Sequence, residues 1–308
     1  MSRLTYRANG KLLLFGEYFV MDGCTALAIP TSFGQNLYYT SEKEQLRGLK
    51  WKSIDYKGNV WFEAYFDENL KLLFTHDRDT AFTLQKILVA AKELNPGFLV
   101  DDLYHDIRTE INFPLEWGLG SSSTLIYLTA RMARVDSFEL FFRSFQGSGY
   151  DIACAASDKP ILYRLEDRKP LWTQVEITWP FKDDIHFVYL GNKQNSREGI
   201  AHYKERRDHL QKTTERLDQI SRECLEVKER MAFIDLMQSS EQLISQALEM
   251  RKIKDLQFHD FPGGVKSLGA WGGDFVMALA SRETFDTATY FRDKGFHSVF
   301  TYSQMIKA

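Results

Sequence analysis

The apolar positions along the chain predict a strand-rich N-terminal half and a C-terminal half built around long helices. LLLFGEYFV and TALAIP are the apolar strand segments between Leu4 and Thr40, and residues 35–39 continue as strand. Trp51–Asp55 and Val60–Phe66 flank Lys57-Gly58-Asn59, which predicts a hairpin. Ala81 to Leu94 turns to a helical period and stops at Asn95-Pro96-Gly97. A strand over 106–113 then runs into a glycine-serine loop and an apolar helix. Short helices are expected at 137–145 and 150–157, separated by Gly147–Gly149, and a strand at 160–166. Beyond it, strands are expected at 173–177 and 186–190. Ser196 to Met250 reads as two antiparallel helices meeting near 225–232. Strands at 264–269 and 275–280, a helix at 283–294 and a strand at 297–300 end the pattern. A boundary near 166, where EDRKP follows a strand, divides the chain into domains 1–166 and 167–308.

Composition narrows the partners more than the fold. A chain of 308 residues has room for about two domains. A net charge of -3 gives no reason to expect nucleic acid or an anionic membrane. The charged stretch YKERRDHLQKTTERLDQ interleaves both signs and reads as a solvated helix face. Three well-separated cysteines suggest reduced thiols and a cytoplasmic setting. Lys11, Glu17 and Asp22 interrupt the apolar N-terminal stretch, so no signal peptide is expected. No apolar run reaches the length of a membrane span. The seven histidines, His202 and His209 included, show no zinc spacing.

The loop GLGSSS, 118–123, carries the first chemistry. Gly118 and Gly120 let the backbone approach a ligand without a Cβ clash. The helix behind them, with Ser121 or Ser122 near its N-cap, offers unpaired N–H groups and partial positive charge. That is a phosphate cradle, although a plain helix cap would use the same residues. No GxxxxGK[ST] sequence and no HRD or DFG set occurs, so the P-loop and protein-kinase frameworks are excluded. Lys11 lies in an apolar strand where an unpaired ammonium is costly, so it needs an anionic partner. Asp151 in GSGYDIA is the candidate.

Four stretches together carry a resemblance. NGKLLLFGEYFVMDGCTALAIPT (9–31) is similar to the PGKxxLxGEY motif, and GLGSSS to PxxxGLGSSAA. GGVKSLGAWGGDFVMAL (263–279) is similar to KxxGAGGGG, and GSGYDIA (147–153) to the GSGxD motif. In this order and spacing the chain resembles the GHMP kinase superfamily of galactokinase, homoserine kinase, mevalonate kinase and phosphomevalonate kinase.

The resemblance implies an α+β fold. Its N-terminal domain would be like ribosomal protein S5 domain 2 and its C-terminal domain ferredoxin-like. It implies an enzyme dependent on ATP and Mg²⁺, with Asp151 as general base and Lys11 as its electrostatic partner. A structural Lys11–Asp151 ion pair is the alternative. Gly118, Leu119, Gly120, Ser121, Ser122 and Ser123 would hold the ATP phosphates, beside a third-motif turn of Gly269, Ala270, Gly272 and Gly273. Ser122 is the implied Mg²⁺ ligand, with Glu139 or water as the second. Glu17 and Tyr18 would lie beside the substrate, or Glu17 would cap backbone N–H groups.

Lys193, Ser196 and Arg197 offer a cation and hydroxyl to an acidic small-molecule substrate. GSGYD and GGD lean toward mevalonate or phosphomevalonate as acceptor; homoserine or a sugar is the alternative, on a monomer or homodimer. Trp117 and Trp271 depart from the motifs. They would narrow the nucleotide pocket, stack on each other or pack in the core. A nucleotide-binding or regulatory protein without turnover is the rival reading.

Overall fold

The computed structural model describes residues 2–43, 47–99, 103–191, 196–269, 271 and 274–307, with backbone alone for Ser2, Ser196 and Arg197. These residues form two compact units that interleave along the chain. The first takes Met1–Gly10, Phe33–Leu115 and Leu119–Ala156; the second takes Lys11–Ser32, Glu116–Gly118 and Ser157–Ala308.

In the first unit, β1 (Ser2–Phe15) lies beside β2 (Ala26–Glu42), and both strands contribute residues to each unit. The start of β2 is buried at every position, as the run ALAIP requires, and its later part alternates with one wetter face. β3 (Gly48–Ile54) and β4 (Val60–Phe66) form the expected hairpin, with Gly58 at φ 86. The Asp55 carboxylate accepts the N–H groups of Lys57 and Asn59. A short edge strand, β5 (Leu72–Thr75), was not legible, because its residues are largely exposed and show no alternation.

α1 (Arg78–Leu94) starts three residues before the expected Ala81, because Asp77 caps it by accepting the Thr80 N–H at 3.1 Å. Next come β6 (Tyr104–Ile111), α2 (Ser121–Ala133), α3 (Ser137–Ser144) and α4 (Tyr150–Ala156). The sheet order is β5-β4-β3-β6-β2, and β3 runs parallel to β6. Leu37, Trp51 and Ile107 from the strands meet Leu84, Ile126, Leu140 and Ile152 from the helices. Each such aliphatic side chain contributes roughly 1.5–3 kcal/mol on burial.

In the second unit, β7 (Ile161–Glu166) and β8 (Lys169–Gln174) form a hairpin. EDRKP is therefore a tight turn. Asp167 and Arg168 both have positive φ, 48 and 62, as a two-residue turn of the primed kind needs. The strand expected at 173–177 moves to 169–174 for the same reason. β9 (Ile185–Tyr189) precedes three helices, where two were expected: α5 (Ser196–Arg206), α6 (Gln211–Glu226) and α7 (Arg230–Leu248). The extra break, around His209 at φ 75, contains no glycine or proline to announce it.

α8 (Ile253–Gln257), β10 (Gly264–Leu268), β11 (Phe275–Leu279), α9 (Thr287–Asp293), β12 (Val299–Thr301) and α10 (Tyr302–Met305) complete the chain. The second sheet runs β10-β11-β9-β12, all antiparallel. β10 and β11 are buried at every position, so this sheet is covered on both faces there. Among the described residues, no helix is long and apolar enough to cross a membrane.

Candidate active site

The glycine-serine loop holds its conformation through two left-handed glycines, Gly118 at φ 65 and Gly120 at φ 91. Gly120 is itself the N-cap of α2, and Ser121 is the first helical residue. The serine expected near the N-cap thus gives way to glycine, because a left-handed cap penalises any Cβ. No side chain caps this helix, so the first-turn N–H groups of Ser121, Ser122 and Ser123 are the donors the loop presents. Ser123 donates its hydroxyl to the Gly120 carbonyl at 2.9 Å, and Thr124 donates to Gln35 Oε1 at 2.7 Å. Those two bonds brace the loop, while Leu119 anchors it as a fully buried side chain.

Ser122 is exposed and lines, with Ser121, a cavity of about 300 Å³. Asp79, Thr80 and Thr83 of α1 form one wall of it, and the indoles of Trp51 and Trp61 contribute to the rest. Trp51 is buried, with its N–H donated to Ser53 Oγ at 3.2 Å, and Trp61 is 41% exposed. Asp151 belongs to this unit as well. It stands in the first turn of α4, half-buried, with Oδ1 accepting the Ile152 N–H at 3.1 Å. Glu139, the carboxylate considered for the metal, is exposed in the first turn of α3.

The second unit assembles a different set. Lys11 donates from Nζ to the carbonyl of Gly118 at 2.7 Å. Gly118 is also closely approached by a carboxylate: a Cβ built on it would lie 2.0 Å from Asp274 Oδ2. Glu17 is fully buried and pairs with Lys266, itself fully buried, from the strand leading into the third motif. Tyr18 is held at φ 56, accepts the Trp271 N–H at 2.9 Å on its hydroxyl, and stacks on Tyr203. Burial pushes the Tyr18 phenol up to about 12, so it stays protonated.

The fold matches solved structures along its whole length. The mevalonate kinase of Methanococcus jannaschii is 15% identical, with 100% of this chain and 99% of that one covered and a TM-score of 0.69. The Streptococcus pneumoniae phosphomevalonate kinase, solved with phosphomevalonate and AMPPNP, is 17% identical, covering 97% and 99% at a TM-score of 0.69. The Lactococcus lactis galactokinase, complexed with galactose, is 15% identical, covering 100% and 95% at 0.62. This is the GHMP kinase fold. No protein-family model and no curated protein sequence matches the chain.

Within the GHMP kinase fold, several expectations meet the structure unevenly. Lys193, Ala270, Gly272 and Gly273 lie outside the described residues, and Ser196 and Arg197 are seen only as the backbone opening α5. Gly269, at φ 71, closes β10 in the left-handed region. The tryptophans that depart from the motifs do not stack on each other. Trp117 packs edge-on against Phe275 and Phe300, and Trp271 is buried.

The indoles at the serine loop's cavity are Trp51 and Trp61, which motif reading passed over. It also passed over Asp274, although the GGD tripeptide was in view, and Lys266 and Glu241. Lys266 is the lysine of the KxxGAGGGG match, quoted there without a role, and it is also a buried polar position in the apolar strand VKSL.

Proposed function

We propose that the protein is an ATP-dependent kinase of small molecules, with mevalonate or phosphomevalonate as acceptor. The observation that carries this reading is the uncapped N-terminus of α2, whose glycine-shaped loop opens on a cavity. Helix N–H groups and dipole there suit the β- and γ-phosphates, and the cavity beside Ser121 and Ser122 suits the adenosine. Trp61 offers the base a face to stack on. Asp274, beside Gly118, and Lys11, bonded to its carbonyl, supply charge of both signs at the loop's first glycine.

In the reaction, the acceptor oxygen attacks the γ-phosphorus as the bond to the β-phosphate oxygen breaks, and ADP leaves with that electron pair. Where the acceptor is a hydroxyl, as in mevalonate, its proton passes to Asp151; a phosphate oxygen of phosphomevalonate attacks as the anion with no proton to give up. Lys11 balances negative charge on the transferring group. Positioning and electrostatics do most of the work in such a transfer. The Ser122 hydroxyl, on an exposed residue, would be one ligand of Mg²⁺, and Glu139 or a water would be the second. Such an ion would be held chiefly by phosphate and water. When bound, Mg²⁺ would neutralise charge on the phosphate oxygens.

The test is ADP release with mevalonate, phosphomevalonate, homoserine and galactose as acceptors. Release that depends on mevalonate or phosphomevalonate supports the reading, and release with homoserine or galactose alone would redirect it. ATP binding with no release under any acceptor would favour the rival, a nucleotide-binding protein without turnover.

A further inference from the structure

Lys266 and its two carboxyl partners take no part in the chemistry above, yet they are shut off from solvent. Glu17 and Lys266 have no exposed side-chain surface and Glu241 has 2%. Burying such a group brings little net stability, because desolvation offsets the Coulombic gain. What it does bring is geometry. Glu17 belongs to the turn after β1, Lys266 to β10 and Glu241 to α7. The ammonium lies against Glu17 Oε1, is 3.8 Å from Glu241 Oε1, donates to the Ser267 carbonyl at 3.2 Å and sits over the Phe15 ring. Glu241 Oε1 also accepts the Ser267 N–H at 3.1 Å. The residue after Glu17 is Tyr18, whose hydroxyl accepts the Trp271 N–H. The GEY turn and the third motif are therefore tied twice, once by charge and once by a hydrogen bond.

We propose that Lys266 is a positioning residue. Clamped between Glu17 and Glu241, it holds the GEY turn against β10 and thereby, through Tyr18, sets the backbone of the third glycine motif at Trp271. Its link to catalysis rests on the kinase reading; the tie itself does not.

The charges around the clamp define its pH range. Burial pushes both carboxyls up against the pull of Lys266, Glu241 to about 8. Lys252 also faces Glu241, and Cys224 of α6 faces Lys266. One cation balances one carboxylate. Glu241, 3.8 Å from the ammonium, keeps its proton at neutral pH, while burial raises Glu17 against the opposing pull of the Lys266 it touches. Above about pH 8 the clamp carries an extra negative charge, and among the described residues Glu17 Oε2 and Glu241 Oε2 have no hydrogen-bond donor to receive it. The tie should loosen there.

The experiment is amide hydrogen exchange at residues 17–20 and at Trp271, corrected for intrinsic base catalysis, from pH 6 to 9. It is read beside the KM for ATP and kcat. In the wild type, exchange at both places should speed up together by about tenfold as pH rises through 8. Glu241→Gln, a neutral stand-in for the protonated acid, should keep the slow exchange throughout. Lys266→Met, if folded at pH 6, should exchange fast at both places even there. It should raise the KM for ATP by about tenfold with kcat nearly unchanged.

Equal pH dependence in wild type and Glu241→Gln would overturn the proposal even if Lys266→Met fails to fold. So would a folded Lys266→Met with wild-type exchange. A wild type that neither binds ATP nor releases ADP would sink the kinase reading while leaving the exchange result to stand or fall alone.

Discussion

Gly118→Ala puts the geometry of the loop to a direct test. The added methyl carbon would lie 2.0 Å from Asp274 Oδ2 and 2.4 Å from its Cγ, far inside any real carbon–oxygen contact. Two costs add. The backbone at φ 65 is left-handed, which costs an L-residue roughly 1–2 kcal/mol. The Asp274 carboxylate, in a residue only 8% exposed, must retreat by about an ångström into packed surroundings, which costs roughly 1–3 kcal/mol. The sum, about 2–5 kcal/mol, is a large part of the roughly 5–15 kcal/mol that holds a domain together.

Urea unfolding of Gly118→Ala, Asp274→Ala and the double variant isolates the clash from the strain. In the double variant the obstructing carboxylate is gone. Gly118→Ala should then cost only its backbone strain, giving a coupling of about 1–3 kcal/mol between the two sites. Strict additivity, or a Gly118→Ala protein as stable as wild type, would refute the close approach of Asp274. Because the Gly118 carbonyl accepts from Lys11, the single variant should also lose turnover beyond its loss of folded protein.

Asp151→Asn should fold and bind ATP while losing roughly 10²–10⁴-fold in rate, measured by ADP release on protein whose melting is unchanged. Near-normal turnover in that protein would remove the catalytic assignment. Trp61→Ala should weaken ATP and ADP by about 1 kcal/mol but leave inorganic triphosphate untouched, as calorimetric titration would show; equal loss for all three would move the base elsewhere. The wild type should lose stability as pH rises from 4.5 to about 8, because folded Glu241 holds its proton across that window and the unfolded chain does not. The slope is at most ~1.4 kcal/mol per pH unit inside that window and vanishes above about pH 8, where the whole loss has been expressed, and Glu241→Gln should flatten it. A wild-type slope no steeper than that of Glu241→Gln in melting experiments would show that Glu241 is ionised in the fold.

What the sequence determined by itself is what contiguous residues can specify. The turning glycines of the loop, an apolar helix beginning directly behind them, the hairpin about Gly58 and the break between α6 and α7 are local demands of backbone and periodicity, legible without a partner. The order of the motifs pointed to the GHMP kinase fold for the same reason, since each motif is a contiguous stretch that can be read without its tertiary partners.

Tertiary structure alone decided which distant groups meet. Lys266 reaches Glu17 across 249 positions, and Ser267 reaches Glu241 across 26. Both meetings depend on the register of β10 and on the face α7 turns toward it. Trp117 packs on Phe275 and Phe300 while Trp61 lines the cavity, although by composition either indole suited either place. EDRKP, polar enough to pass for a linker, became a hairpin turn because β8 found its partner in β7. Apolar pattern reports that a face will be buried. What it will be buried against is set by strand register and helix packing, which no single stretch of the chain contains.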